Sequence, residues 1–94
     1  MTLSEFKASL TQSDPPANLS PELKALWNDG KEDWHQAHEI AQETNTPAHC
    51  LIHAYLHRKE GDNWNANYWY QRAGRKMPSI SLEQEWENIA KELL

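Results

Sequence analysis

The chain has 94 residues, a formal charge of −5, 38% apolar residues and a mean hydropathy of −0.91. That length fits one domain burying roughly 60–65% of the surface its unfolded chain exposes, and the acidic balance leaves no excess cation for phosphates, which argues against nucleic acid as a partner. No apolar run approaches membrane-spanning length, Met1–Leu10 lacks the regions of a signal peptide, and the single Cys50 permits no intramolecular disulfide, so the expectation is a cytoplasmic protein without a membrane partner.

Aliphatic residues alone would make a thin core, and five tryptophans, three tyrosines and one phenylalanine supply much of the burial instead. Thr2-Leu-Ser-Glu5 has capping-box spacing, and Leu3, Phe6 and Leu10 share one face, so a short helix is expected over about residues 3–11. Ser13-Asp-Pro-Pro16 ends it, leaving residues 12–19 as a linker and the N-terminal helix loosely attached. Ser20-Pro21 joins a capping hydroxyl to a proline at the first helical position. Leu23, Leu26 and Trp27 give that helix an apolar stripe, and Asn28-Asp29-Gly30 stops it. Asp33, with Gln36 at capping-box spacing, starts the next, in which Trp34, Ala37, His38 and Ala41 recur with the helical period.

Thr46-Pro47 repeats the cap-plus-proline signal and opens a helix that runs to about Glu60. Gly61 suits the left-handed residue that ends a helix, and Asp62 caps the one that follows. Ala66, Trp69, Tyr70 and Ala73 form its buried stripe, and Gly74 and Pro78 end it. Ser81 begins a last amphipathic helix with Leu82, Trp86, Ile89, Ala90 and Leu93 on one face. No segment alternates with period 2, so the fold class is all-α with about five helices. The domain is divided into an N-terminal helix (1–11), a linker (12–19), a first hairpin (20–45), a main hairpin (47–78) and a capping helix (81–94).

Asp33-Trp-His-Gln-Ala37 resembles Asp62-Asn-Trp-Asn-Ala66, and the two alanines lie 29 residues apart, from 37 to 66. Such a period is that of a repeated helix–turn–helix. From Pro47 to Pro78, with Ala54, Gly61-Asp62, Ala66, Tyr70, Ala73 and Pro78 in its small, turn, aromatic and proline positions, the chain resembles a tetratricopeptide repeat. The resemblance implies a right-handed array of antiparallel hairpins that offers a groove to a peptide. Cys50, His53 and His57 depart from it, standing where that family places large apolar residues. Residues 34–75 also resemble a group of small proteins sharing an AHE…Q, HAxLHRxEGD, NAxYWYxRAG pattern, to which no activity is attached.

His49, His53 and His57 follow each other at i, i+4 and i+8, and two imidazoles one turn apart can chelate zinc. His38 or Glu39 from the preceding helix could complete such a site. Spacing alone favours no cofactor, zinc being the ion it would admit, and a melt unchanged by chelator is the expectation. Cys50 beside His53 is read as a buried small hydrophobe rather than a nucleophile.

The leading reading of function is a module that binds a protein or peptide. It would use a groove along Ala48, Leu51, Tyr55, Arg58 and Lys59, with Trp69 and Arg72 supplying the aromatic and cationic contacts typical of hot spots. The alternative is a metal-dependent or acid–base enzyme using His38, Glu39, His53 and His57. Imidazoles converging in an open pocket would favour the enzyme; imidazoles bonded inside a helix interface would favour the module. Self-association is also expected, through the end at Leu23, Leu26 and Trp27 or through the groove near Tyr55.

Overall fold

Six side-chain caps start six helices in the computed structural model, which describes residues 1–94. Thr2, Ser20, Asp33, Thr46, Asp62 and Ser81 each accept a hydrogen bond from the backbone N–H three residues on. Each such cap satisfies a donor that the first turn cannot, at about 1 kcal/mol apiece. The helices are α1 (Leu3–Ala8), α2 (Pro21–Gly30), α3 (Trp34–Ala41), α4 (Pro47–Lys59), α5 (Asn63–Arg72) and α6 (Leu82–Leu93), with a 3-10 turn over Ser9–Thr11 extending α1. The fold is all-α, its six helices matching the six starts read in the sequence, and no helix is long and apolar enough to cross a membrane.

The internal repeat is a structural one at the level of its turns. Glu32 donates its N–H to the Asp29 carbonyl and Asp33 to Asn28; Gly61 donates to Arg58 and Asp62 to His57 in the same pattern 29 residues later. Both turns need a left-handed residue, supplied by Gly61 at φ 88° and by Glu32 at φ 63°. Short turns of this kind make α2 and α3, and α4 and α5, antiparallel neighbours. Ala37, Ala54 and Ala66 are fully buried, which lets the helices approach closely.

Helix α4 lies at the centre. Every residue from His49 to His57 is buried, with α2 and α6 against one side and α3 and α5 against the other. A helix buried all round has no polar stripe to show solvent, so each of its histidines and its tyrosine must find a partner inside the protein. That requirement shapes both polar clusters described below.

The N-terminal segment corrects the expectation of a loose attachment. Phe6 is fully buried and stacks on Trp86 of α6, with ring centroids 5.5 Å apart. Trp27 donates its indole N–H to Ser9 Oγ at 3.1 Å, and Lys31 Nζ reaches the Leu10 and Gln12 carbonyls at 2.8 Å each. Leu23, Leu26 and Trp27 are thereby buried within the chain.

Candidate functional site

On the α2 and α6 side of α4, two buried carboxylates are held by matched pairs of donors. Asp29, at the end of α2, accepts from the Tyr55 hydroxyl at 2.9 Å and from Lys59 Nζ at 2.9 Å. Glu85, in the first turn of α6, accepts from the Tyr70 hydroxyl at 2.6 Å and from Arg58 Nη1 at 2.7 Å. Arg58 also donates to the Ile80 carbonyl. Burial, then the charge of Asp29, pushes the Tyr55 hydroxyl well above the usual phenol range. Burial and the hydrogen bond to Glu85 do the same at Tyr70. These arrangements are anchors: each donor and acceptor is used inside the chain.

On the α3 and α5 side, three imidazoles meet. His38 comes from α3, and His53 and His57, one turn apart, come from α4. His38 Nε2 and His53 Nε2 stand 3.1 Å apart. One nitrogen from each of the three rings lies within 4.8 Å of the others. His57 donates from Nδ1 to Glu60 Oε1 at 2.6 Å. His53 and His57 are 6% and 8% exposed, while His38 is half-buried at the rim.

Two indoles wall the cluster. Trp34 stacks on His38 with centroids 4.8 Å apart and is fixed by its N–H bond to the Leu56 carbonyl at 2.9 Å. Trp69 stacks on His53 at 4.0 Å. Loss of hydration, with neighbouring imidazoles adding to it, lowers the pKa of both rim and core rings. His53 is pushed down to about 4, by burial first and then by His38 and His57. His38 moves in the same direction, through burial and then His57. Both shifts favour the neutral ring.

The aromatic wall continues outward along α5. The Arg72 guanidinium lies 5.4 Å from the Trp69 ring centre and 5.6 Å from that of Tyr68. Tyr68 in turn stacks with Trp64, centroids 6.5 Å apart and planes 12° from parallel. Trp64 is 79% exposed and Tyr68 45% exposed, so this row of rings faces solvent.

Of the residues singled out in the sequence, the structure gathers His38, His53, His57, Trp69 and Arg72 around one corner. It leaves out Glu39, which is exposed, and His49, whose Nδ1 pairs with Thr46 Oγ1 at 2.8 Å and lies 3.4 Å from Glu22. Eight residues of helix separate His49 from His57, enough for the side chain to drift off the shared face. Tyr55, Arg58 and Lys59 sit on the opposite side of α4, engaged with Asp29 and Glu85, and Leu51 and Tyr55 are buried. At Tyr55, Arg58 and Lys59 the face of α4 expected to be an open groove is instead closed by α2 and α6, while Ala48 and Leu51 border a hollow between α4 and the end of α6. Cys50 is buried and directs Sγ at the Asn45 carbonyl, 3.6 Å away, as a packed residue does.

Trp34 and the buried acids Asp29 and Glu85 went unread as parts of clusters, and Trp69, legible as a binding residue beside Arg72, is also a wall of the histidine cluster. Asp29 carries the ordinary signature of a helix stop, and nothing in its local sequence marks it as buried. A cavity of about 400 Å³ opens away from the histidines, lined by Leu51, Tyr70, Arg75, Ile80, Glu85 and Ile89. The imidazoles line no cavity of their own. No protein-family model, curated protein or solved structure matches the chain.

Proposed function

We propose that this protein is a binding module whose recognition surface is the outer face of α5, and that its partner is a protein or peptide offering an apolar side chain next to a carboxylate. The observation that carries this reading is the exposed stack of Trp64 on Tyr68, with Arg72 set over Tyr68 and Trp69. Exposed tryptophan, tyrosine and arginine together have the composition of interface hot spots. A guanidinium beside aromatic faces donates to a carboxylate while the rings cover an apolar group. The enzyme reading gains less support, because the three imidazoles fill a helix interface instead of lining an open pocket. A tetratricopeptide-like arrangement of the two hairpins fits the same reading, with the partner on α5 in place of the groove along α4.

A second copy of the chain is the other partner that this chemistry admits, since a row of flat rings can stack on itself across a two-fold axis. The experiment is affinity capture with the wild-type chain and with Trp64→Ala/Arg72→Ala, combined with solution mass at micromolar concentration. Both side chains are on the surface, so the variant is expected to keep its helical circular dichroism. A partner, or a dimer, that is lost only in the variant is the expected result. Identical capture and an identical monomer mass for both chains would refute it.

A further inference from the structure

The histidine corner does not depend on the α5 surface and carries chemistry of its own. A hydrogen bond between His38 Nε2 and His53 Nε2 would use one pair of nitrogens and leave the third ring, His57, uninvolved. The 3.1 Å between those two atoms is close to the roughly 3.3 Å that separates two nitrogens on one tetrahedral ion with metal–nitrogen bonds of about 2.0–2.1 Å. The nitrogen of His57 that completes the trio lies within 4.8 Å of both.

Glu60 adds a separate sign. It accepts from His57 Nδ1 at 2.6 Å, which leaves Nε2 as the nitrogen with a free lone pair. A carboxylate on the remote nitrogen is the usual way a ligating histidine is fixed in tautomer and orientation. We propose that His38, His53 and His57 form a binding site for one divalent transition-metal ion of the zinc class, with Glu60 as the positioning residue of His57.

The ligand class follows from the donors. Three imidazoles suit zinc, copper, nickel or cobalt and supply none of the oxygen ligands that calcium or magnesium requires. Three protein ligands leave the fourth position of a tetrahedral ion to water or a small anion. Spacing along α4 alone did not favour an ion. The arrival of His38 from α3, and the failure of His49 to join, replace an evenly spaced row with a convergent trio. A second trio, His57 with Glu60 and Asp62, shares His57 but engages it through a carboxylate already bonded to it.

Chelator-treated, tag-free full-length protein titrated with zinc chloride in a calorimeter tests the assignment. One equivalent is expected to bind and to raise the melting temperature, because the ion ties α3 to α4. His38→Ala and His53→Ala are each expected to lose that binding, and Glu60→Gln to weaken it about 10–100-fold. His35→Ala, one turn away on the exposed side of α3, and Asp62→Asn, which keeps the cap, are expected to bind as the wild type does. Cobalt in place of zinc should give the intense visible bands of tetrahedral coordination. His38 is at the rim, so His38→Ala remains informative even where His53→Ala fails to fold. Absence of binding by the wild type, binding that survives His38→Ala, or a weak octahedral cobalt spectrum would each overturn the proposal.

Discussion

Trp69 lies flat on His53, with ring centroids 4.0 Å apart and planes 16° from parallel. The stack joins α5 to α4 at the corner where the imidazoles meet, and its outer side carries Arg72. Trp69→Ala is therefore expected to cost about 2–3 kcal/mol, below the value for a fully buried tryptophan. Trp69→Phe keeps a ring over the imidazole and should cost less than about 1.5 kcal/mol. Urea denaturation of the two variants checks this; equal losses would mean that the ring contact contributes nothing specific.

Ala66 is fully buried between α5 and α4. Ala66→Leu adds three carbons where the helices touch and is expected to destabilise by about 1–3 kcal/mol. A neutral midpoint would show that the interface relaxes more easily than its burial implies.

Arg58 and Glu85 form the more enclosed of the two carboxylate anchors, bonded at 2.7 Å. Arg58→Ala strands a buried carboxylate with only Tyr70 as donor, and the expected loss is about 3–5 kcal/mol. The same change made in a Glu85→Gln background should cost clearly less, since no charge is then stranded. A double-mutant cycle measures the difference, and additive effects would contradict the pairing.

Tyr55 and Tyr70 give the protein an alkaline limit. Both phenols are raised above their ordinary value by burial first, with the neighbouring carboxylates adding to it. The folded state thus holds these protons where the unfolded state, titrating near about pH 10, releases them. Their contribution is complete below about pH 10 and falls as pH rises further. Urea midpoints should drop between about pH 9 and about pH 11, and Tyr55→Phe should flatten the slope. A midpoint unchanged over that range would rule this out.

Glu32 occupies the left-handed position that Gly61 fills in the second turn, at φ 63°. Its side chain is exposed, and its distance to Lys59 is 3.7 Å, too loose to contribute much. Glu32→Gly removes the Cβ penalty and is expected to stabilise by about 0.5–1 kcal/mol. A lower thermal midpoint would contradict it.

The helices were legible because their starts are local chemistry. Thr2, Ser20, Asp33, Thr46, Asp62 and Ser81 announce themselves by side-chain type and by the residue three positions later, and each caps as read. The 29-residue repeat was legible through Ala37 and Ala66 for the same reason. The site was legible only in part. Spacing of four placed His53 and His57 on one side of a helix, but the wall formed by Trp34 and Trp69 depends on how α3 and α5 lean on α4. Tyr55, Arg58 and Lys59 show the opposite failure. Their types suit a binding face, and only the position of Asp29 and Glu85 turns them inward. The attachment of the N-terminal helix was not legible because it rests on Phe6 meeting Trp86 of α6, on Ser9 meeting Trp27 of α2, and on Lys31, just past α2, reaching the Leu10 and Gln12 carbonyls, all pairs distant in sequence.

The contact of Phe6 with Trp86, and the bond from Trp86 to the Leu26 carbonyl at 3.0 Å, also set the order in which a growing chain can finish folding. Both hairpins consist of neighbours in sequence and can close while synthesis continues. Phe6 and the Leu26 carbonyl must wait until α6 has emerged from the ribosome, and a nascent chain halted before Trp86 presents a phenyl ring and an apolar face without cover. Exposed apolar surface of that kind is prone to aggregate, and it is covered only once the indole of Trp86 reaches its place.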